Sequence, residues 1–286
     1  MKTISFIGTG VMGASIVNHI LQAGHSVTVH TRTKEKADEL LSAGAKWAPT
    51  IADAVQDADV IFTMVGMPTD VEEIYFKEDG ILANGTHGQV VVDMTTSSPA
   101  LAKKIEKAAM DKGMSSLDAP VSGGDVGAKN GTLSIMCGGE ETVFNRVQPI
   151  FALFGSQIVL QGPAGAGQHT KMSNQLAIAT NMIGVCEALV YAEKAGLDPE
   201  RVLQSISPGA AGSWSLSNLG PRMLAGNFEP GFYTKHFLKD LRIALDEANA
   251  MSLELPGLKL AIGLYEDLMA KGCGDKGTQV LFNYYQ

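Results

Sequence analysis

The chain has 286 residues, enough for about two domains, each with its own buried core. Hydrophobic residues make up 45% and charged residues 18%, which excludes global disorder, and the net charge of −8 argues against a general affinity for nucleic acid or anionic membranes. Cys137, Cys186 and Cys273 lie far apart, with no CxxC and no histidine at ligand spacing, so they read as apolar side chains and no metal site is expected. No uninterrupted apolar run approaches about 18 residues, and a strand beginning at Thr3 leaves no room for a signal peptide. The expectation is a cytoplasmic protein without a membrane partner.

The β-branched run Thr3–Ile7 predicts a strand. It ends in Gly8-x-Gly10-x-x-Gly13 and passes directly into a helical pattern over Ala14–Ala23. Strand, glycine turn and helix in this order suit a dinucleotide pyrophosphate. Gly8 allows the turn, Gly10 lets the backbone approach the phosphates, and Gly13 lets the helix pack on the strand. The free N–H groups of the new helix then face the anion. Further strands are predicted at Ser26–Thr31, Asp59–Val65, Gln89–Met94, Ser115–Asp118, Thr132–Cys137 and Gln157–Leu160. Helical segments between them include Lys34–Ser42, Ile51–Gln56, Thr69–Tyr75 behind a Thr69-x-x-Glu72 capping box, and Ala100–Lys112 behind Ser98-Pro99. Alternating strands and helices imply a mostly parallel sheet covered on both faces.

Past Gly162-Pro163-Ala164-Gly165-Ala166-Gly167 no convincing strand remains. Gln168–Ala195 contains no proline and predicts a helix of about 28 residues, roughly 42 Å long. Met172, Leu176, Ala179, Ile183, Cys186 and Val190 mark one seam, flanked by Ile178, Met182, Val185 and Leu189. So apolar a helix belongs inside a structure. Helices are also expected at Pro199–Ile206, Trp214–Leu224, Lys235–Ser252 and Leu258–Ala270. The expected domains are 1–162, an α/β dinucleotide-binding domain, and 163–286, an all-α domain built on a long interdomain helix.

Several residues stand out as candidates for chemistry. A site for NAD usually places Asp or Glu at the end of the second strand, to hold the ribose 2′-hydroxyl. Here the chain reads His30-Thr31-Arg32-Thr33, and Lys34 and Lys36 follow. Arg32, with Thr33 beside it, is either a fork for a 2′-phosphate, which favours NADP over NAD, or a solvated surface charge. Lys171 opens the long helix, with Asn174 and Gln175 on the same face at i+3 and i+4. It is either a proton-transfer group made useful by desolvation or a lysine snorkelling at a helix end. Successive N–H groups of Ser122, Gly123 and Gly124 either cradle a carboxylate or belong to a flexible loop. Ser213 and Trp214 are either walls of a substrate pocket or a helix N-cap and a core aromatic.

Taken together the chain resembles the β-hydroxyacid dehydrogenases, the family of 3-hydroxyisobutyrate dehydrogenase and tartronate semialdehyde reductase. The resemblance rests on FIGTGVMG near the N-terminus, DMTTSSP at 93–99, DAPVSGGDVGAKNGTL at 118–133, GAGQHTKMSNQ at 165–175 and KDLRIAL at 239–245. It implies a Rossmann-type first domain, with Thr9, Val11 and Met12 completing the cofactor turn of Gly8, Gly10 and Gly13. It makes Lys171 the catalytic lysine and Asn174 the amide that orients the substrate, with Gln175 and Trp214 beside the substrate. Ser122, Gly123 and Gly124 become the carboxylate loop, Thr96 a nicotinamide-side contact, and Lys239 a lysine near cofactor and substrate. Val65, Gly66 and Met67 occupy the loop that passes over the cofactor, where Leu-Pro is usual and this chain reads MVGMP.

The reaction so implied is reversible hydride transfer between NADP(H), in preference to NAD(H), and a short 3-hydroxy acid, with Lys171 as general acid/base and no metal. Reduction of glyoxylate, succinic semialdehyde or tartronate semialdehyde is the nearest alternative. Imine reducers of similar fold generally lack the lysine, and a 6-phosphogluconate activity would need further basic residues. A non-catalytic NADP-binding sensor is the alternative from another class. The apolar second domain makes a homodimer or homotetramer the expected assembly.

Overall fold

The computed structural model describes residues 2–286. The chain divides into two compact units, Met1–Lys171 and Met172–Gln286.

Among the described residues the first unit is built on nine strands: β1 Thr3–Ile7, β2 Ser26–His30, β3 Lys46–Trp47, β4 Val60–Thr63, β5 Val90–Asp93, β6 Ser115–Asp118, β7 Val121–Ser122, β8 Leu133–Gly139 and β9 Gly155–Gly162. They form one sheet in the order β3-β2-β1-β4-β5-β6-β8-β7, with β9 on the other edge of β8. From β3 to β6 all pairings are parallel; β8 then runs antiparallel to both β6 and β7. Strand order reverses at β1 and β4, so their carboxyl ends open a crevice of the kind in which nucleotides bind.

The central strands are apolar on both faces because helices cover both. Phe6, Phe62 and Val92 point to one side, where Phe62 meets Phe151 and Phe154 edge-on at 6.1 and 6.4 Å. Ile7, Ile61 and Val91 point to the other, against Val55, Tyr75 and Ile105. All eleven of these strand and helix residues on the two faces are buried, so the sheet has no solvent face at its centre.

The seven expected strands are all present, shifted at most by a few residues. β3 and β7 were not foreseen, because two residues carry no periodic signal. Nor were the helices Ile81–Asn84, Gly124–Asn130 and Glu141–Phe151 set out. The Thr69–Glu72 capping box is corrected. The helix spans Pro68–Phe76, and the N–H of its cap, Met67, donates to Asp70 Oδ2 at 3.0 Å. Pro68, with its φ preset, starts the helix one residue earlier, and Glu72 pairs with Lys104 instead. Ser98 caps Pro99–Asp111 as expected, accepting from the Leu101 N–H at 3.1 Å.

The long helix runs over Ala166–Lys194. Compactness divides the chain inside this helix, after Lys171. The reason is that its first turns are hydrogen-bonded to strand ends of the sheet, as described below. Length and composition alone would let this helix cross a membrane, contrary to the expectation that no such segment exists. Ala179, Met182, Cys186 and Leu189 are instead core residues of the second unit, packed with Leu216, Phe237, Leu241 and Tyr265. Helices Pro199–Ile206, Trp214–Leu224, Thr234–Ala250 and Pro256–Ala270 supply that packing.

Candidate active site

The glycine turn follows β1 directly. Gly8 has φ +100, and a Cβ there would stand 2.2 Å from the Met64 carbonyl oxygen. At Gly13 a Cβ would stand 2.1 Å from the Gly8 carbonyl oxygen, so only glycine lets helix Val11–Gln22 sit this close to the strand. Gly10 is the N-cap; it gives no side-chain bond to the first turn, and a Cβ there would meet nothing within 4 Å. No side chain of the cap therefore satisfies the backbone donors of this first turn. Thr9 is buried, and its hydroxyl has no hydrogen-bond partner. Val11 and Met67 are exposed and Met12 half-buried around the same turn.

At the end of β2, Arg32 is 88% exposed at its side chain and lies 3.7 Å from Asp70. Thr33 is the cap residue of a short 3-10 turn, and the Lys34 ammonium sits over the Trp47 ring at 4.8 Å from its centre.

Asp93 closes β5 and stands in register with Asp118, which closes β6. Asp93 Oδ1 accepts from the Thr63 hydroxyl at 2.9 Å and from the Thr95 N–H at 3.0 Å. Burial raises its pKa to about 6, despite those bonds. Thr95 Oγ1 accepts from the Val65 N–H at 3.0 Å, tying the loop of Val65, Gly66 and Met67 to the loop that carries Thr96. Asp118 caps the long helix: Oδ1 accepts from the Gly165 N–H and Oδ2 from the Gln168 N–H, both at 2.8 Å. Burial also raises the Asp118 pKa, and the backbone bonds oppose that rise.

β7 ends at Ser122. Gly123, at φ +134, caps the helix Gly124–Asn130, so this stretch is an ordered strand-to-helix turn rather than a flexible loop. The Lys171 ammonium donates to the Val121 carbonyl oxygen at 2.8 Å, next to Ser122. Lys171 is 6% exposed, which rules out a lysine snorkelling into solvent. The first unit thus brings Lys171 to the strand end that leads into Ser122, Gly123 and Gly124.

In the second unit the Asn174 amide donates to Gln175 Oε1 at 2.8 Å, and Gln175 Nε2 donates to Asp240 Oδ2 at 2.6 Å. Lys239 pairs with Asp240 Oδ1 at 2.8 Å, with both side chains nearly buried. Gln175 is itself buried, held between Asn174 and Asp240. Ser213 is an N-cap, accepting from the Leu216 N–H at 3.0 Å, whereas Trp214 is 61% exposed and so is not a core aromatic.

Residues 3–162 match the family model described as the NAD binding domain of 6-phosphogluconate dehydrogenase. Residues 165–285 match the one described as NAD-binding of NADP-dependent 3-hydroxyisobutyrate dehydrogenase. A 2-hydroxy-3-oxopropionate reductase of Escherichia coli is 42% identical over 94% of this chain and 92% of its own length. A probable mitochondrial 3-hydroxyisobutyrate dehydrogenase-like protein of Arabidopsis thaliana is 50% identical, over 97% of this chain and 83% of its own length. The chain belongs to the NAD(P)-dependent β-hydroxyacid dehydrogenase family. The structure of Mycobacterium tuberculosis 3-hydroxyisobutyrate dehydrogenase with L-serine superposes on this dehydrogenase with a TM-score of 0.91, at 31% identity, covering 100% of this chain and 99% of the other.

The residues of the dehydrogenase fit a dinucleotide. Thr9 offers a buried hydroxyl without a partner, the helix start after Gly10 has no side-chain cap, and the space beside the Gly10 Cα is open. Three side chains that matter here were not singled out from sequence as site residues: Asp93, Gln168 and Asp240. An acid closing each of two adjacent strands was the available signal for Asp93. For Gln168 and Asp240 the signal was only their place beside the lysines of GQHTK and KDL.

Proposed function

We propose that this dehydrogenase reversibly transfers a hydride between NADP(H) and a short 3-hydroxy acid of the 3-hydroxyisobutyrate type, with Lys171 as general acid/base. The observation that carries the reading is the buried Lys171 ammonium, held 2.8 Å from the Val121 carbonyl beside Ser122. A bound nicotinamide supplies the hydride acceptor or donor. As the neutral amine, Lys171 Nζ takes the hydroxyl proton during oxidation; as the ammonium so formed, it returns that proton during reduction. The Ser122 hydroxyl and the N–H groups of Gly123 and Gly124 hold the substrate carboxylate, which fixes the reacting carbon in place. Asn174, one turn after Lys171 on the same helix, orients the substrate oxygen. The roles of Lys239 beside the cofactor and Trp214 beside the substrate rest on the family resemblance.

Arg32 supports a preference for NADP over NAD, because no acid at the end of β2 is placed to take a ribose 2′-hydroxyl. Reduction of a short semialdehyde is the second reading, favoured by the similarity to the Escherichia coli reductase. Steady-state kinetics over three- to five-carbon hydroxy acids and semialdehyde acids, with both cofactors, tests these readings. Lys171→Ala is expected to lower turnover by about 10²–10⁴-fold with cofactor affinity nearly intact. Unchanged turnover would remove the acid/base assignment. Under the same proposal the enzyme is a cytoplasmic homodimer or homotetramer, a state that light scattering in solution reads directly.

A further inference from the structure

We infer that Gln168 is a positioning residue: its carboxamide locks the loop carrying Thr96 to the helix turn that presents Lys171. The inference rests on the dehydrogenase reading above and adds a determinant of the distance between the Thr96 loop and Lys171 Nζ.

Gln168 is completely buried in the first unit. Its Oε1 accepts from the Ser97 N–H at 2.9 Å, and its Nε2 donates to the Thr95 carbonyl oxygen at 2.8 Å. Those two peptide groups bracket Thr96. A peptide N–H can only donate and a carbonyl oxygen can only accept, so both bonds need one donor and one acceptor at this reach. A carboxamide provides them in one orientation. The backbone N–H of Gln168 is spent on Asp118 Oδ2 at 2.8 Å, which fixes the helix start against β6. Three residues further on the same face stands Lys171, whose ammonium is held by Val121 at 2.8 Å. Loop, helix start and lysine are therefore set by one short chain of hydrogen bonds: Thr95 and Ser97 to Gln168, Gln168 to Asp118, and Lys171 to Val121. A hydride donor or acceptor placed against Thr96 and a proton acceptor at Lys171 Nζ must both reach one substrate carbon. Losing the Gln168 bonds would change their separation without removing either group.

Gln168→Met keeps the length and removes both bonds. Its kcat is expected to fall about 10–100-fold while KM for the hydroxy acid stays within about threefold. The isotope effect from deuterium at the carbinol carbon is expected to rise, because hydride transfer becomes the slower step. In the cofactor-free protein, the Ser97 amide is expected to exchange with deuterated water at least about tenfold faster. Gln168→Glu supplies a finer control. Protonated, it offers both a donor and an acceptor; ionised, it offers acceptors only. Asp118 on β6 and Asp93 behind Thr95 on β5 oppose its ionisation, while Lys171 on its own helix and Lys103, whose Cε lies near Gly165, favour it. The ratio of its kcat to that of the wild type is expected to climb as pH falls from about 8 to 5.5.

Wild type without turnover on any hydroxy acid overturns the dehydrogenase reading, and this inference with it. An active wild type, with a Met variant of unchanged kcat and an equally protected Ser97 amide, overturns the role of Gln168 alone. If the Met variant does not fold, a Glu variant whose kcat ratio is flat across pH overturns it as well.

Discussion

Asp93 is a carboxylate the first unit keeps under strain, and Asp93→Asn measures that strain. Burial lifts its pKa from the ordinary 3.8 to about 6, although the Thr63 hydroxyl and the Thr95 N–H both donate to Oδ1. In the unfolded chain the group titrates near its ordinary value, so the folded state holds the proton more tightly. The sign follows. Below about pH 4 the group is neutral in both states and costs nothing. As pH rises through the window from about 4 to 6, stability is lost, and above about 6 the loss is complete. At 1.36 kcal/mol per tenfold change in proton affinity, the gap amounts to about 3 kcal/mol as an upper bound. Asparagine keeps the Oδ1 acceptor without the charge. Asp93→Asn should therefore be more stable than wild type at pH 8, by up to about 3 kcal/mol. That advantage should shrink across the window and vanish below pH 4. Urea unfolding at half-unit pH steps, fitted with a common m-value, reads it directly. A variant that is less stable at pH 8, or whose difference from wild type does not change with pH, would refute the argument.

Arg32→Asp should shift the kcat/KM ratio from NADP toward NAD by at least about tenfold. The melting temperature should barely move, because the exposed pair with Asp70 contributes at most about 1 kcal/mol. A wild type that already prefers NADH defeats that assignment. Thr9→Val removes a buried hydroxyl that has no partner, and should stabilise the cofactor-free protein by about 1 kcal/mol. The same change should weaken cofactor binding about tenfold in a fluorescence titration, and unaltered affinity would separate the Thr9 hydroxyl from the cofactor. Asp240→Ala leaves the nearly buried Lys239 ammonium and the Gln175 amide without their carboxylate. It should cost about 3–5 kcal/mol in denaturant unfolding, and a loss under 1 kcal/mol would show that the network carries little.

Local structure follows from the order of residues alone wherever a pattern runs long enough to repeat. The strands around the glycine turn, the Ser98 cap and the long helix from Ala166 are legible because apolar period, glycine spacing and cap chemistry act between near neighbours in the chain. Lys171 was legible through its place at the start of that helix and through a motif resemblance. What the lysine amine touches, and the capping of its helix by a carboxylate from β6, are set by contacts made on folding. The same holds for Asp93, whose raised pKa depends on burial beneath a sheet formed from distant segments. The two-residue strand that brings Val121 and Ser122 to β8 belongs to this class too. Such features rest on hydrogen bonds and desolvation between residues tens of positions apart. No short window of sequence contains both partners, so the physics that fixes them acts only once the chain has folded.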